Sequence, residues 1–157
     1  MGHRISFLEK DPETSPVGLL LELANKAAKH YLSEHPIDPQ HPFLAQNPHK
    51  WYISAWSSIL REQGHHDSHT HPSGWLSGVY YVSVPDTVKC EDMGHAGWLE
   101  FGRPDCPLAE DVKLELTAQQ PHAGLVLLFP SYFFHGTIPF EGSEERIGIA
   151  FDVYPEG

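Results

Sequence analysis

Within His65-His66-Asp67-Ser68-His69-Thr70-His71 lie four of the chain's 12 histidines. About sixty residues later, Phe129-Pro130-Ser131-Tyr132-Phe133-Phe134-His135 adds another. Neutral imidazole is a ligand for Fe, Zn, Cu and Ni, so two histidines close together plus a distant third is a donor set for an open transition-metal site. In extended chain, side chains alternate, so His69 and His71 share a face with their Cα atoms about 6.6 Å apart. From there two imidazoles can converge on one ion at about 2.0–2.1 Å. His135 sits beside Phe133 and Phe134, which should keep water away from it, and a buried imidazole needs a partner that a metal can supply. Three imidazoles leave coordination positions open, the mark of a reactive site and not of a structural one. The plain alternative for each histidine taken singly is a solvated or hydrogen-bonded side chain. A further set is also open, because Asp67 shares the alternation face of residues 65, 69 and 71 and could be the ligand in place of His71.

The elements that must position these residues read as mainly β. Trp51 to Leu60 is a predicted strand, with a turn near Gln63-Gly64. The histidine strand follows, broken by Pro72-Ser73-Gly74, and then Gly78 to Val84. Trp98 to Phe101 is a short strand, Lys113-Leu114-Glu115-Leu116 alternates cleanly, Leu125 to Phe129 is a continuous apolar run, and Arg146 to Tyr154 is the last strand. Before them, Ser15-Pro16 is an N-cap followed by proline at the first helical position. Leu19, Leu20, Leu23, Ala24, Ala27 and Ala28 then recur at helical spacing, predicting an amphipathic helix from about Pro16 to Leu32 that packs on a sheet. Residues 1–14 read as a strand or a loose arm. His35-Pro36, Asp38-Pro39, His41-Pro42 and Asn47-Pro48 make an irregular connector. Seven or eight short strands with Gly/Pro turns after one helix suggest a sandwich or jelly roll in a single domain, residues 1–157. The helix-containing part is about 1–45 and the β core about 46–155.

In the strand from Arg146, residues Ile147, Ile149, Phe151 and Val153 form one face, and Arg146, Gly148, Ala150 and Asp152 the other. An arginine beside two small residues leaves space for a bidentate carboxylate. Its plain alternative is an exposed arginine paired with Glu144 or Glu145.

Composition bounds the rest. The chain has 157 residues, 40% hydrophobic and 20% charged, which is globular. A net charge of -11 without any Lys/Arg cluster argues against nucleic acid or an anionic membrane as partner. Cys90 and Cys106 form no metal-spaced pair and no disulfide framework, and no chemistry is assigned to them. The longest apolar run, Leu125 to Phe129, is far too short to span a bilayer. Met1 to Asp11 lacks the apolar stretch of a signal peptide, so a cytoplasmic location is expected. Monomer and homo-oligomer are equally open.

His69-Thr-His71-Pro-Ser-Gly-Trp-Leu-Ser-Gly-Val-Tyr-Tyr-Val, the Phe129-Pro-Ser to His135 element and Arg146-Ile-Gly-Ile-Ala-Phe-Asp together resemble a family of 2-oxoglutarate-Fe(II) oxygenases whose domains occur alone, in phages and fused to tetratricopeptide repeats. The resemblance covers roughly residues 45–155. It implies a double-stranded β-helix, a cupin-like jelly roll, with Fe(II) and 2-oxoglutarate as cofactors and a hydroxylase activity on a small molecule or peptide. It places the iron ligands at His69, His71 and His135, and the arginine for the C5 carboxylate of 2-oxoglutarate at Arg146. The wider superfamily carries a carboxylate where His71 stands, which keeps Asp67 in view as alternative ligand. His66 or Asp67 could orient a ligand imidazole, and Trp75 lies next to the metal pair. Many superfamily members have Ser at the position of Gly148; here Tyr80, Tyr81 or Ser77 would supply that hydrogen bond. Two other functions compete: a three-histidine cupin-type metalloenzyme that does not use 2-oxoglutarate, and a non-catalytic metal-binding module.

Overall fold

The computed structural model describes residues 6–7, 15–61, 64–89, 94–109 and 112–156. The expected strand or arm at 1–14 falls outside these residues except for β1 (Ser6–Phe7), as do Cys90 and Gln63. Helix α1 spans Pro16–Glu34, followed by a 3-10 turn at Leu44–Gln46 and the strands β2 (Trp51–Leu60), β3 (Leu76–Ser83), β4 (Leu99–Phe101), β5 (Thr117–Gln119), β6 (Val126–Pro130), β7 (His135–Thr137) and β8 (Arg146–Pro155). A five-stranded sheet runs β1-β2-β8-β3-β6, and a three-stranded sheet runs β5-β4-β7. All pairings are antiparallel, and an isolated bridge joins His69 to His135. This is the expected mainly β architecture: a double-stranded β-helix with an N-terminal helix on its larger sheet.

Local chemistry explains the helix. Ser15 caps it by accepting from the Gly18 N–H at 3.0 Å, Pro16 fits the first turn, and the His35 N–H closes on the Tyr31 carbonyl just before Pro36 stops the chain. The buried face differs from the Leu/Ala stripe. Ala24 and Ala28 are buried, while Leu19 and Leu23 are exposed. Opposite, Trp51, Trp75 and Phe151 fill the space between helix and sheet, where Ala24 and Ala28 allow close approach and Leu21, Tyr31 and Leu32 pack around them.

The register of the central strands sorts side chains to two faces. On the helix side lie Leu76 opposite Val153 and Gly78 opposite Phe151. On the inner side lie Ser77 opposite Asp152, Val79 opposite Ala150 and Tyr81 opposite Gly148. Gly78 is needed where it is, because a Cβ there would stand 2.3 Å from the Phe151 ring and 2.7 Å from the Leu127 carbonyl oxygen. A second cluster of Leu60, Tyr81, Val84, Val88 and Phe140 closes the end of the barrel beneath Arg146.

Two expected strands change. Lys113-Leu114-Glu115-Leu116 has no ladder and all four residues are exposed; the strand begins at Thr117, where β4 offers a partner. The histidine segment is extended but is held by a bridge and single bonds instead of a full strand. His69 and His135 exchange both backbone hydrogen bonds at 3.0 Å, and the His71 N–H donates to the Ser131 carbonyl at 2.9 Å.

Candidate metal centre and cosubstrate cavity

The bridge from His69 to His135 brings the distant histidine to the pair. One ligand nitrogen from each of His69, His71 and His135 lies within 4.8 Å of the others, the one grouping of three or more potential ligand side chains found among the described residues. The ring centroids are 4.5–5.1 Å apart. What the rings do with their other nitrogen fixes how they point. Nδ1 of His69 meets the Asp67 carbonyl at 2.7 Å, Nδ1 of His135 meets the Phe133 carbonyl at 2.9 Å, and Nδ1 of His71 lies 2.7 Å from both carboxylate oxygens of Asp152. Carbonyls and carboxylates only accept, so each Nδ1 carries the proton and each Nε2 keeps a lone pair. Three such lone pairs on one small volume are the donor set of a divalent transition metal. Burial, against the Phe133 hydrogen bond, pulls the His135 pKa from 6.5 down to about 4, so that ring is neutral and fit to ligate.

The rings near His135 are not those of the expected pair Phe133 and Phe134. Phe129 and Phe101 lie tilted to it at 4.7 and 6.4 Å between centroids, whereas Phe133 is exposed and contributes its carbonyl. Trp56 lies against His71 with 5.9 Å between ring centroids.

Asp152 is buried and acceptor to three donors: His71, the Ser77 hydroxyl at 2.6 Å and the Tyr154 hydroxyl at 3.0 Å. It is the functional residue that sequence reasoning placed on the correct face without giving it a task. Asp67, the alternative ligand, is excluded from the cluster. Its side chain is 96% exposed and reaches His65 at 3.2 Å, because the chain there has left the strand geometry that would turn it inward. Its backbone carbonyl, not its carboxylate, orients His69. His66 lines the cavity, lies 3.4 Å from the Ser58 hydroxyl and meets the His69 ring edge-on with 6.4 Å between centroids. Trp75 is likewise displaced from the expected position. It points to the helix side, where its indole N–H donates to Asn47 and its ring meets Trp51 and Tyr31. Ser77 is not free for a cosubstrate, since its hydroxyl is shared between Asp152 and Ser131.

The three histidines line a cavity of about 130 Å³, and Arg146 and Tyr81 line it too. Arg146 is 4% exposed. Its Nη2 donates to the Tyr81 hydroxyl at 3.3 Å, its guanidinium carbon stands 4.9 Å from the Tyr81 ring centroid, and its Nε has no hydrogen-bond partner. Burial lowers the guanidinium pKa from its usual value and raises that of the Tyr81 phenol. The exposed alternative does not hold: Glu145 pairs instead with Arg61 at 2.7 Å. No carboxylate of the described residues is paired with Arg146. A buried guanidinium with an orphaned N–H costs several kcal/mol unless an anion completes it, and Gly148 and Ala150 leave the adjoining space for one. The cavity is well below the roughly 300–1,000 Å³ of pockets for drug-sized ligands, so it suits a small dicarboxylate.

The family model described as "Putative 2OG-Fe(II) oxygenase" matches residues 54–152, which include all four residues of this constellation. Among solved structures, a prolyl-4-hydroxylase from Pseudomonas putida is similar with a TM-score of 0.62 at 13% identity, covering 99% of this chain and 73% of that one. An oxidoreductase of the 2OG-Fe(II) oxygenase family from Burkholderia pseudomallei gives a TM-score of 0.62 at 12% identity, over 99% and 66% of the two chains. A viral collagen prolyl hydroxylase from Paramecium Bursaria Chlorella virus-1, in complex with 2OG, gives 0.54 at 14%, over 99% and 80%. At such identities these likenesses speak for the fold. None of the curated proteins matches the chain. No helix among the described residues is long and apolar enough to cross a membrane. The family match, over well more than half of the chain, and the three-imidazole cluster it contains carry the conclusion: this chain belongs to the 2OG-Fe(II) oxygenases, non-haem iron enzymes with Fe(II) and 2-oxoglutarate as cofactors.

Proposed function

We propose that the chain is a 2-oxoglutarate-dependent dioxygenase acting as a hydroxylase, with iron on His69, His71 and His135 and the far carboxylate of 2-oxoglutarate on Arg146. The observation that carries the second half is the buried, unfulfilled Nε of Arg146 in the cavity that the histidines line. Iron and 2-oxoglutarate supply the oxidising chemistry when bound. The chain's own residues bind and aim. Arg146 offers a charged fork to a carboxylate, and Tyr81 stays neutral beside it as a hydroxyl partner. Gly148, where a larger residue would meet Val79 at 3.1 Å, keeps the cosubstrate's path clear. Phe129 and Leu99 line the cavity as apolar wall, with Phe101 packed edge-on against Phe129, and limit water beside the histidines. The prolyl-hydroxylase names of similar folds make proline-containing peptides the first substrates to try.

The test is anaerobic. Adding Fe(II) and then 2-oxoglutarate should give the visible charge-transfer absorption of a chelated keto acid. Arg146→Ala should weaken 2-oxoglutarate binding by at least about 100-fold, the loss of a charge-assisted bidentate pair, while leaving Fe(II) binding within about threefold. Unchanged 2-oxoglutarate affinity in Arg146→Ala would remove Arg146 from the reading. No absorption band and no succinate formed with any peptide pool would favour a metalloenzyme that does not use 2-oxoglutarate.

A further inference from the structure

We infer that Asp152, acting through His71, gives the metal centre the negative charge that its three-imidazole ligand set lacks; this rests on the reading of His69, His71 and His135 as the ligands. The usual iron site of this chemistry joins two histidines to one carboxylate. Here three neutral rings would leave the ion its full double charge. The three rings are not equivalent, however. His69 and His135 give their Nδ1 protons to backbone carbonyls, whereas His71 gives its own to a buried carboxylate, with both oxygens at 2.7 Å. A carboxylate on Nδ1 raises the basicity of Nε2, so His71 becomes the strongest donor of the three and passes on part of an anionic ligand's charge.

Asp152 is built to stay there. Ser77 donates to one oxygen, Tyr154 to the other, and Ser77 is itself linked to Ser131 at 2.8 Å. Ser131 also takes the His71 N–H on its carbonyl, so backbone and ring of His71 are fixed from the same corner. Trp56 lies against the ring from the side. Asp152 cannot be a ligand itself, for it occupies the nitrogen on the ring edge turned away from the cluster, and no oxygen of it joins the three converging nitrogens. It is therefore a positioning residue, and the carboxylate missing from the ligand set has moved one bond network outward.

The experiment compares the wild type with Asp152→Asn, Asp152→Ala and His135→Ala, all prepared metal-free. Co(II) affinity is measured by competition with a chelator, with the Co(II) visible bands recorded, and each metal-free protein is melted. Asp152→Asn should bind Co(II) about 10–100-fold more weakly than the wild type, with shifted bands and a metal-free melting temperature near the wild type's. A merely structural Asp152 would instead lower that melting temperature and leave affinity unchanged. His135→Ala tests the ligand set alone: if it binds Co(II) as the wild type does, the three-histidine site is wrong whatever Asp152 does. If His135→Ala loses the metal but Asp152→Asn binds within twofold of the wild type, only the role of Asp152 falls. Should both Asp152 variants fail to fold, the metal-free wild type still decides by nitrogen-proton correlation NMR. His71 must carry its proton on Nδ1, with a resonance shifted well downfield of those of His69 and His135. A proton on Nε2 of His71, or three equivalent Nδ1 resonances, overturns the proposal.

Discussion

Three imidazoles can share one ion only if each turns an unprotonated nitrogen toward it, and here the acceptors at Asp67, Phe133 and Asp152 hold the protons on Nδ1 and leave Nε2 free before any metal arrives. The arrangement has a cost that pH reveals. His135, with its pKa lowered from 6.5 to about 4 by burial, refuses a proton that the unfolded chain accepts. Between those two pH values the unfolded state binds more protons, so stability of the metal-free protein must fall as pH drops from about 6.5 toward 4. His66, also brought down to about 4 by burial and by neighbouring His69 and Arg146, adds to the same slope. His135→Gln should flatten the stability-pH profile in that window by about one proton, read by urea unfolding of metal-free protein at half-unit pH steps. An unchanged slope would show that His135 is protonated as readily folded as unfolded. Alternation alone put residues 65, 67, 69 and 71 on one face, so it was the family resemblance that singled out His69 and His71 in the sequence. Asp152 was legible only as a member of the Arg146 face. No spacing rule connects it to His71 across 81 residues, since that contact depends on where β3 and β8 pair.

Pairing is the property of elements, and β8 shows how one strand serves two masters. Its odd-numbered residues Ile149, Phe151 and Val153 build the core under α1, and its even-numbered residues Arg146, Gly148, Ala150 and Asp152 face the inner side. The helix-side half sets the height at which the site half sits. Gly78 on β3 is the control point, because any side chain there meets both the Phe151 ring and a backbone oxygen that cannot move without breaking the β3–β6 ladder. Gly78→Ala should therefore destabilise the protein by about 1–3 kcal/mol, the usual penalty for overpacking, seen as a lower urea midpoint at unchanged slope. A variant as stable as the wild type would mean that β3 and β8 can part without cost. Most elements could be read from period and punctuation, including α1, β2, β6 and β8. The exception at 113–116 is instructive: alternation marks a segment able to be a strand, but a strand exists only where a partner's N–H and C=O groups are on offer. In α1 the period was correct and the stripe was right at Ala24 and Ala28 but not at Leu19 and Leu23, since the packing face turns instead toward Leu21, Tyr31 and Leu32, which meet the cluster around Trp75.

At the scale of the whole molecule, the cavity joins parts that fold from different places. His135 belongs to the three-stranded sheet, Arg146 and Asp152 to the five-stranded one, and His69 and His71 to the segment that bridges them. A metal ion and a dicarboxylate placed across that cavity would tie both sheets together, while an unfolded chain presents neither the cluster nor the guanidinium pocket. Ligands that bind only the folded state stabilise it by mass action, about 2.7 kcal/mol at a hundredfold excess over Kd. For a domain of this size that corresponds to a rise in melting temperature of about 5–10 °C. Co(II) under anaerobic conditions should give one such increment. 2-Oxoglutarate should give a second that is larger with metal present than without, because the metal-facing end of the molecule then has a partner as well as the Arg146 end. A 2-oxoglutarate shift of equal size with and without metal would mean that the histidine cluster and Arg146 do not hold one ligand between them. The acidic surface sharpens the expectation: with a net charge of -11, a dianion is repelled by most of the molecule, so on the proposed reading its binding draws on the local charges of the metal and Arg146. Raising the salt concentration should then speed its association through screening of the surface, while the bound complex, sheltered in the cavity, dissociates at nearly the same rate.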